Sequence, residues 1–160
     1  MKNYKGLEIT KCPMMAEVEI IYKSKTKRDE RPVCTRSSDI YKYLLSIWNH
    51  NKIDYVEEMV IVCFNSRNQA IGWAKIASGS GTGVVCDPKL IFQVALLHNA
   101  SNIAIAHNHP SGDRYPSEAD KSITKKIHQA GKILDIRLLD HLVITEETYY
   151  SFADEGHLDY

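Results

Sequence analysis

His107 and His109 stand two residues apart, and Asp120 follows eleven positions after the second histidine. Imidazole nitrogens and carboxylate oxygens are ligands for a zinc ion. The apolar run Ile103-Ala-Ile-Ala ends at His107 and reads as a buried strand. Along a strand, residues i and i+2 share a face, so both rings can turn toward one ion. Three protein ligands leave a fourth position for water, which distinguishes catalytic zinc sites from closed structural ones. The expectation is one Zn2+ per chain on His107, His109 and Asp120, doing hydrolytic chemistry on metal-activated water.

Such a site needs a base to take the proton from that water. Glu57 and Glu58 precede the apolar run Met59-Val-Ile-Val-Cys-Phe64. Alternation puts Glu57 on the face of Met59 and Ile61, and Glu58 on the other. The pattern alone does not say which face meets the metal. Ser117 could donate a hydrogen bond to the reacting oxygen. Ser117-x-x-Asp120 also has the form of a helix capping box, in which hydroxyl and carboxylate satisfy backbone donors of the first turn. His141, in Leu138-Leu-Asp-His-Leu, reads as structural, although Asp140-His141 could lie near the site, and His50, His98, His128 and His157 read as surface or helix-end residues.

The elements that must position these residues alternate between helix and strand. Residues 1–37 read as an N-terminal arm, with a strand at Glu17–Tyr22 and a charged loop at Lys23–Arg31. Residues 38–160 read as one metallohydrolase domain. Ser38 is expected to cap a helix to about His50, with Ile40, Tyr43, Leu44 and Ile47 on its buried face. Met59–Phe64 and Ala70–Ala77 are expected to form an antiparallel pair across the turn Asn65-Ser-Arg-Asn. Asp87-Pro88 should start a helix that buries Ile91, Phe92, Ala95 and Leu96. A further helix should run from Glu118 to about Ala130 and end at Gly131. Ile133–Ile144 should hold one or two strands, and Glu146–Ala153 a short helix. The fold class is therefore α/β, a mixed sheet flanked by helices. The glycine-rich segment Ser78–Gly83 lacks the Gly-Lys-Ser/Thr ending of a phosphate cradle.

Twenty basic and twenty acidic residues cancel, so no overall basic field argues for nucleic acid. Hydrophobic residues at 44% and charged residues at 25% are ordinary for a globular domain. Cys12, Cys34, Cys63 and Cys86 are widely spaced, without a Cys-x-x-Cys pair or a disulfide framework. Cys63 and Cys86, among apolar neighbours, read as small core residues. No signal peptide or membrane-length apolar run is evident, so a cytoplasmic location without membrane contact is expected.

The spacing Glu, His-x-His, seven residues, Ser-x-x-Asp resembles the JAMM (MPN+) metalloprotease signature. His107-Asn-His-Pro-Ser-Gly112, Pro116-Ser117, Leu139-Asp-His-Leu142 and Ser151-Phe-Ala-Asp-Glu-Gly156 narrow the resemblance to the bacterial RadC family, over roughly Asp39 to Tyr160. The resemblance implies a fold related to cytidine deaminases, zinc on His107, His109 and Asp120, and Glu57 rather than Glu58 as the base. It implies attack on an amide or isopeptide carbonyl of a peptide or protein substrate, with Ser117 helping to hold the oxyanion. Typical RadC proteins add a helix-hairpin-helix region associated with DNA. Residues 1–37 offer a strand and a mixed-charge loop instead, which weakens an expected DNA role. Asn108 matches RadC, whereas deubiquitinating JAMM enzymes usually carry serine or threonine there, so ubiquitin is not assumed.

Other classes fit less well. An HNH nuclease spreads its residues over a ββα unit, whereas His107-Asn108-His109 is one tripeptide. A zinc deaminase needs His-x-Glu and Pro-Cys-x-x-Cys, which are absent. The strongest rival is a slow or non-catalytic metal-binding module in a DNA-repair or mobile-element complex, with Lys23, Lys25, Lys27, Arg28, Arg31 and Arg36 touching phosphates. Oligomeric state is left open.

Overall fold

In the computed structural model, residues 26–79 and 86–158 are described. The expected strand at Glu17–Tyr22 and most of the glycine-rich loop lie outside them. The elements are α1 (Ser37–Ile47), β1 (Glu58–Phe64), β2 (Ala70–Ser78), α2 (Pro88–Leu97), β3 (Asn102–Asn108), α3 (Glu118–Ile133), β4 (Arg137–Ile144) and β5 (Tyr149–Ser151). The strands form one sheet in the order β2-β1-β3-β4-β5. β3 and β4 are parallel, joined through α3, and the other neighbours are antiparallel. The mixed α/β class read from the sequence is the fold observed.

Both faces of this sheet are covered, which explains why β1 is buried along its whole length. Val60, Val62, Phe64, Ala104, Ala106, Leu142 and Ile144 meet Ile40 and Leu44 of α1 on one face. Met59, Ile61, Cys63, Ile103 and Ile105 meet Ile91, Phe92 and Ala95 of α2 and Ile127 of α3 on the other. Alternation along β1 therefore separates the two glutamates as expected. Glu58 takes the α1 face and is 2% exposed, its carboxylate 2.6 Å from the Lys75 ammonium of β2.

Several local expectations are corrected. α1 begins at Ser37 and ends at Ile47, and Asp39 closes its start by accepting from the backbone N–H groups of Thr35 and Arg36. Ser38 does not supply that cap. Leu96 is 56% exposed, because the buried stripe of α2 runs through Ile91, Phe92 and Ala95. Gly131 does not end α3, which continues to Ile133. A Cβ on Gly131 would lie 2.3 Å from the Ile136 carbonyl oxygen, so glycine lets the chain fold back closely there. The left-handed residue beyond the helix is Asp135, at φ 54°. Tyr149–Ser151 is a strand, not part of a helix, because the open edge of β4 takes it up opposite Leu142–Ile144. Cys86 is only half-buried, while Cys34 is buried alongside Cys63.

Candidate metal centre

The parallel pair β3 and β4 and the start of α3 bring the expected ligands together. His107 closes the buried part of β3 on the face of Ile103 and Ile105, opposite Met59 of β1. Two residues before Met59, Glu57 enters on the same face. Glu57, His107 and His109 offer ligand atoms that all lie within 4.8 Å of one another. His107 Nε2 and His109 Nε2 are 3.0 Å apart. Asp120 Oδ1 lies 3.3 Å from His107 Nε2, and Asp120 Oδ2 lies 3.8 Å from His109 Nε2. Ligands at 2.0–2.1 Å on a tetrahedral zinc would be spaced about 3.3 Å apart. The two imidazoles and Asp120 match that spacing, with Glu57 beside them.

The hydrogen bonds around the rings test whether a cation fits. His109 Nδ1 lies 2.6 Å from the Asp113 carbonyl oxygen, which can only accept. Its proton therefore sits on Nδ1, and the Nε2 lone pair faces His107. His107 Nδ1 lies 2.9 Å from His141 Nε2, so the ring of a second histidine stands directly behind the first. A neutral pair with lone pairs facing at 3.0 Å, beside a carboxylate, is repulsive unless a proton or a metal ion lies between them. The donor set suits a divalent cation.

Ser117 and Asp120 form the capping box of α3. Ser117 Oγ accepts from the Asp120 backbone N–H at 3.2 Å. Asp120 Oδ2 accepts from the Ser117 N–H at 2.7 Å and from the Ser117 hydroxyl at 2.5 Å. Burial pushes the Asp120 carboxyl up, but the His107 ring and both Ser117 donors override it and hold the pKa well below the usual carboxylate range. The helix start thus aims Asp120 Oδ1 at the two rings while Ser117 holds Oδ2.

Two residues emerge to which motif reading assigned no task at the site. Asn108 lies between the histidines and points to the opposite face. Its Oδ1 accepts from the Glu58 N–H at 2.8 Å, and its Nδ2 donates to the carbonyls of Ile53 at 2.6 Å and Val56 at 2.9 Å. It fixes the backbone that delivers Glu57. His141, read as structural, is fully buried against His107, and burial holds its pKa well below that of a free imidazole. Phe152 stacks on it at 4.8 Å and 9°. Next to it, Asp140 accepts from the Ser151 hydroxyl at 2.7 Å and the Ala153 N–H at 3.0 Å. The Leu-Asp-His-Leu and Ser-Phe-Ala-Asp segments are thereby locked together behind the cluster. His50 and His98 instead bond backbone carbonyls at helix ends.

A mixed sheet between helices, carrying a glutamate, two histidines and an aspartate at one end, defines a metallohydrolase-like module. A family model for the RadC-like JAB domain matches residues 34–157, and the chain belongs to that family. A UPF0758 protein of Flavobacterium johnsoniae is 48% identical over 100 residues, 62% of this chain and 44% of that protein. YfjY, a UPF0758 protein of Escherichia coli, is 41% identical over 100 residues, 62% of each chain. A UPF0758 protein of Chlorobium chlorochromatii is 31% identical over 158 residues, 98% of this chain and 69% of that protein. The chain spans about half the length of the first of these relatives. Among the described residues, no helix is long and apolar enough to cross a membrane.

Proposed function

We propose that this chain is a zinc-dependent metallohydrolase that cleaves a peptide or isopeptide bond. The convergence of His107 Nε2, His109 Nε2 and the Asp120 carboxylate within 3.0–3.8 Å carries this reading. A zinc ion held by those three residues would supply a Lewis acid that lowers the pKa of water and polarises a carbonyl. Glu57, within 4.8 Å of both rings, takes the proton of the attacking water and returns it to the leaving amine. The Ser117 hydroxyl, beside Asp120, turns to donate to the oxyanion as charge develops. Glu58 is committed to Lys75 and takes no part.

Metal content of protein purified without added metal tests the site, with His107→Ala/His109→Ala as the comparison. About one zinc per chain in the wild type, lost in the double variant, is the stoichiometry a three-residue site requires. Full zinc occupancy in the double variant overturns the assignment. A panel of peptide and isopeptide substrates then tests turnover.

A second reading, a module that binds DNA and uses the metal little, has one observation behind it. Arg28, Arg31 and Arg67 line a cavity of about 360 Å³ at the far end of the sheet, and among the described residues no carboxylate lines it. DNA affinity falling steeply with salt would favour this reading, since each neutralised phosphate releases counterions. Salt-insensitive or undetectable binding would remove it.

A further inference from the structure

We infer that Thr124 and His141 form a one-way hydrogen-bond relay that sets the tautomer of His107 and so prepares its Nε2 to capture a cation. Both are positioning residues, and the inference rests on the metal-site reading above.

His141 stands opposite Ile105 in the parallel register of β3 and β4, two residues before Val143 at the level of His107. That offset places its ring between His107 and the first turns of α3. His107 Nδ1 to His141 Nε2 is 2.9 Å, His141 Nδ1 to Thr124 Oγ1 is 2.6 Å, and Thr124 Oγ1 to the Asp120 carbonyl oxygen is 2.5 Å. His107, His141 and Thr124 are all 0% exposed, so water does not substitute for any link.

The direction follows from what each atom can do. A carbonyl only accepts, so the single Thr124 hydroxyl hydrogen goes to Asp120 O, a back-bond common for threonine in helices. Thr124 Oγ1 is left as an acceptor, which requires the proton of neutral His141 to sit on Nδ1. His141 Nε2 is then an acceptor, which requires His107 to carry its proton on Nδ1. His107 Nε2, facing His109 and Asp120, is left to take either a second proton or a cation. The bond at one ring nitrogen thus fixes the state of the other.

The relay starts at the backbone of Asp120 and ends at His107, so one helical turn governs two of the three proposed ligands. It is also uncharged. A carboxylate behind a ligating histidine raises the basicity of the ring, whereas a neutral imidazole in that place adds no negative charge. A cation held by a site built this way would keep more of its positive charge for polarising water and a carbonyl.

The test uses the full chain with nitrogen-15 histidine. Long-range proton–nitrogen correlation spectra of the metal-free protein should show His107 and His141 both protonated on Nδ1. Zinc affinity, measured with zinc alone against a competing chelator, should weaken about 10- to 100-fold in Thr124→Val, which keeps the shape and loses the hydroxyl. Thr124→Ser should return both the tautomers and the affinity to the wild-type range, with thermal midpoints checking that all three proteins are folded. A neutral His107 protonated on Nε2 alone in the wild type, or unchanged zinc affinity in folded Thr124→Val, overturns the relay. Absence of zinc binding by the wild type would instead defeat the metal-site reading, and the tautomers of the metal-free protein would still decide the relay.

Discussion

Asn108 commits its side-chain oxygen and both amide hydrogens to the segment that carries Glu57. An alanine there leaves the Glu58 N–H and the Ile53 and Val56 carbonyls without partners. At about 1–3 kcal/mol for each unsatisfied buried group, with partial relaxation, Asn108→Ala should lose about 2–4 kcal/mol in denaturant unfolding. Water reaching all three groups without cost would leave the midpoint where it was and remove Asn108 from this role. Glu57 poses a different test, because the role proposed for it beside the rings is chemical and not structural. Glu57→Gln should retain zinc and stability yet lose about 10²–10⁴-fold in turnover, the usual contribution of a positioned general base. Glu58→Gln, on the other face with Lys75, should turn over substrate normally. The reverse outcome would exchange the roles of the two glutamates.

α3 does two jobs at its two ends. Its first turn orients Asp120 through the Ser117 capping box, and its last turn folds back tightly onto β4 through Gly131. Ser117→Ala should therefore cost about 1 kcal/mol of stability through the lost cap, whatever the hydroxyl does in turnover. An effect on turnover larger than this, measured where both proteins are fully folded, would speak for the oxyanion role. Gly131→Ala would raise intrinsic helix propensity by about 1 kcal/mol. It also places a methyl 2.3 Å from the Ile136 carbonyl, so net destabilisation of about 1–3 kcal/mol is expected. A stabilised Gly131→Ala in thermal melts would show that the turn after α3 can open freely.

Across the whole molecule, the covered sheet also sets the behaviour of its thiols. Burial pushes Cys63 up to about 12 and Cys34, with help from Asp39, up to about 11. Neither thiol should react with a thiol reagent at pH 8 until the chain unfolds. The sign of the pH dependence follows from the raised values. Thiols stay protonated in the folded protein while those of the unfolded chain ionise. Their contribution is complete below pH 9 and is lost as pH rises toward 11–12. Unfolding free energy should fall over that window, by at most about 1.4 kcal/mol per pH unit for each thiol. Cys63→Ala should show a shallower fall, and an equal slope in both proteins would contradict the assignment.

The His-x-His spacing, the Ser-x-x-Asp box and the alternation of Glu57 and Glu58 were legible in the chain because each depends on local geometry, two residues to a strand repeat or one helical turn. The same locality made Asp87-Pro88 a readable helix start. Contacts between distant segments set the rest. Tyr149–Ser151 became a strand because β4 had an open edge, and Gly131 stayed helical because its constraint comes from Ile136 across a turn. His141 reads as structural in sequence, 34 positions from His107, and it is the parallel pairing of β3 with β4 that puts its ring 2.9 Å away. Local periodicity determined which residues could share a face. The sheet order decided which faces meet, because pairing between remote strands leaves no mark on the spacing within either one.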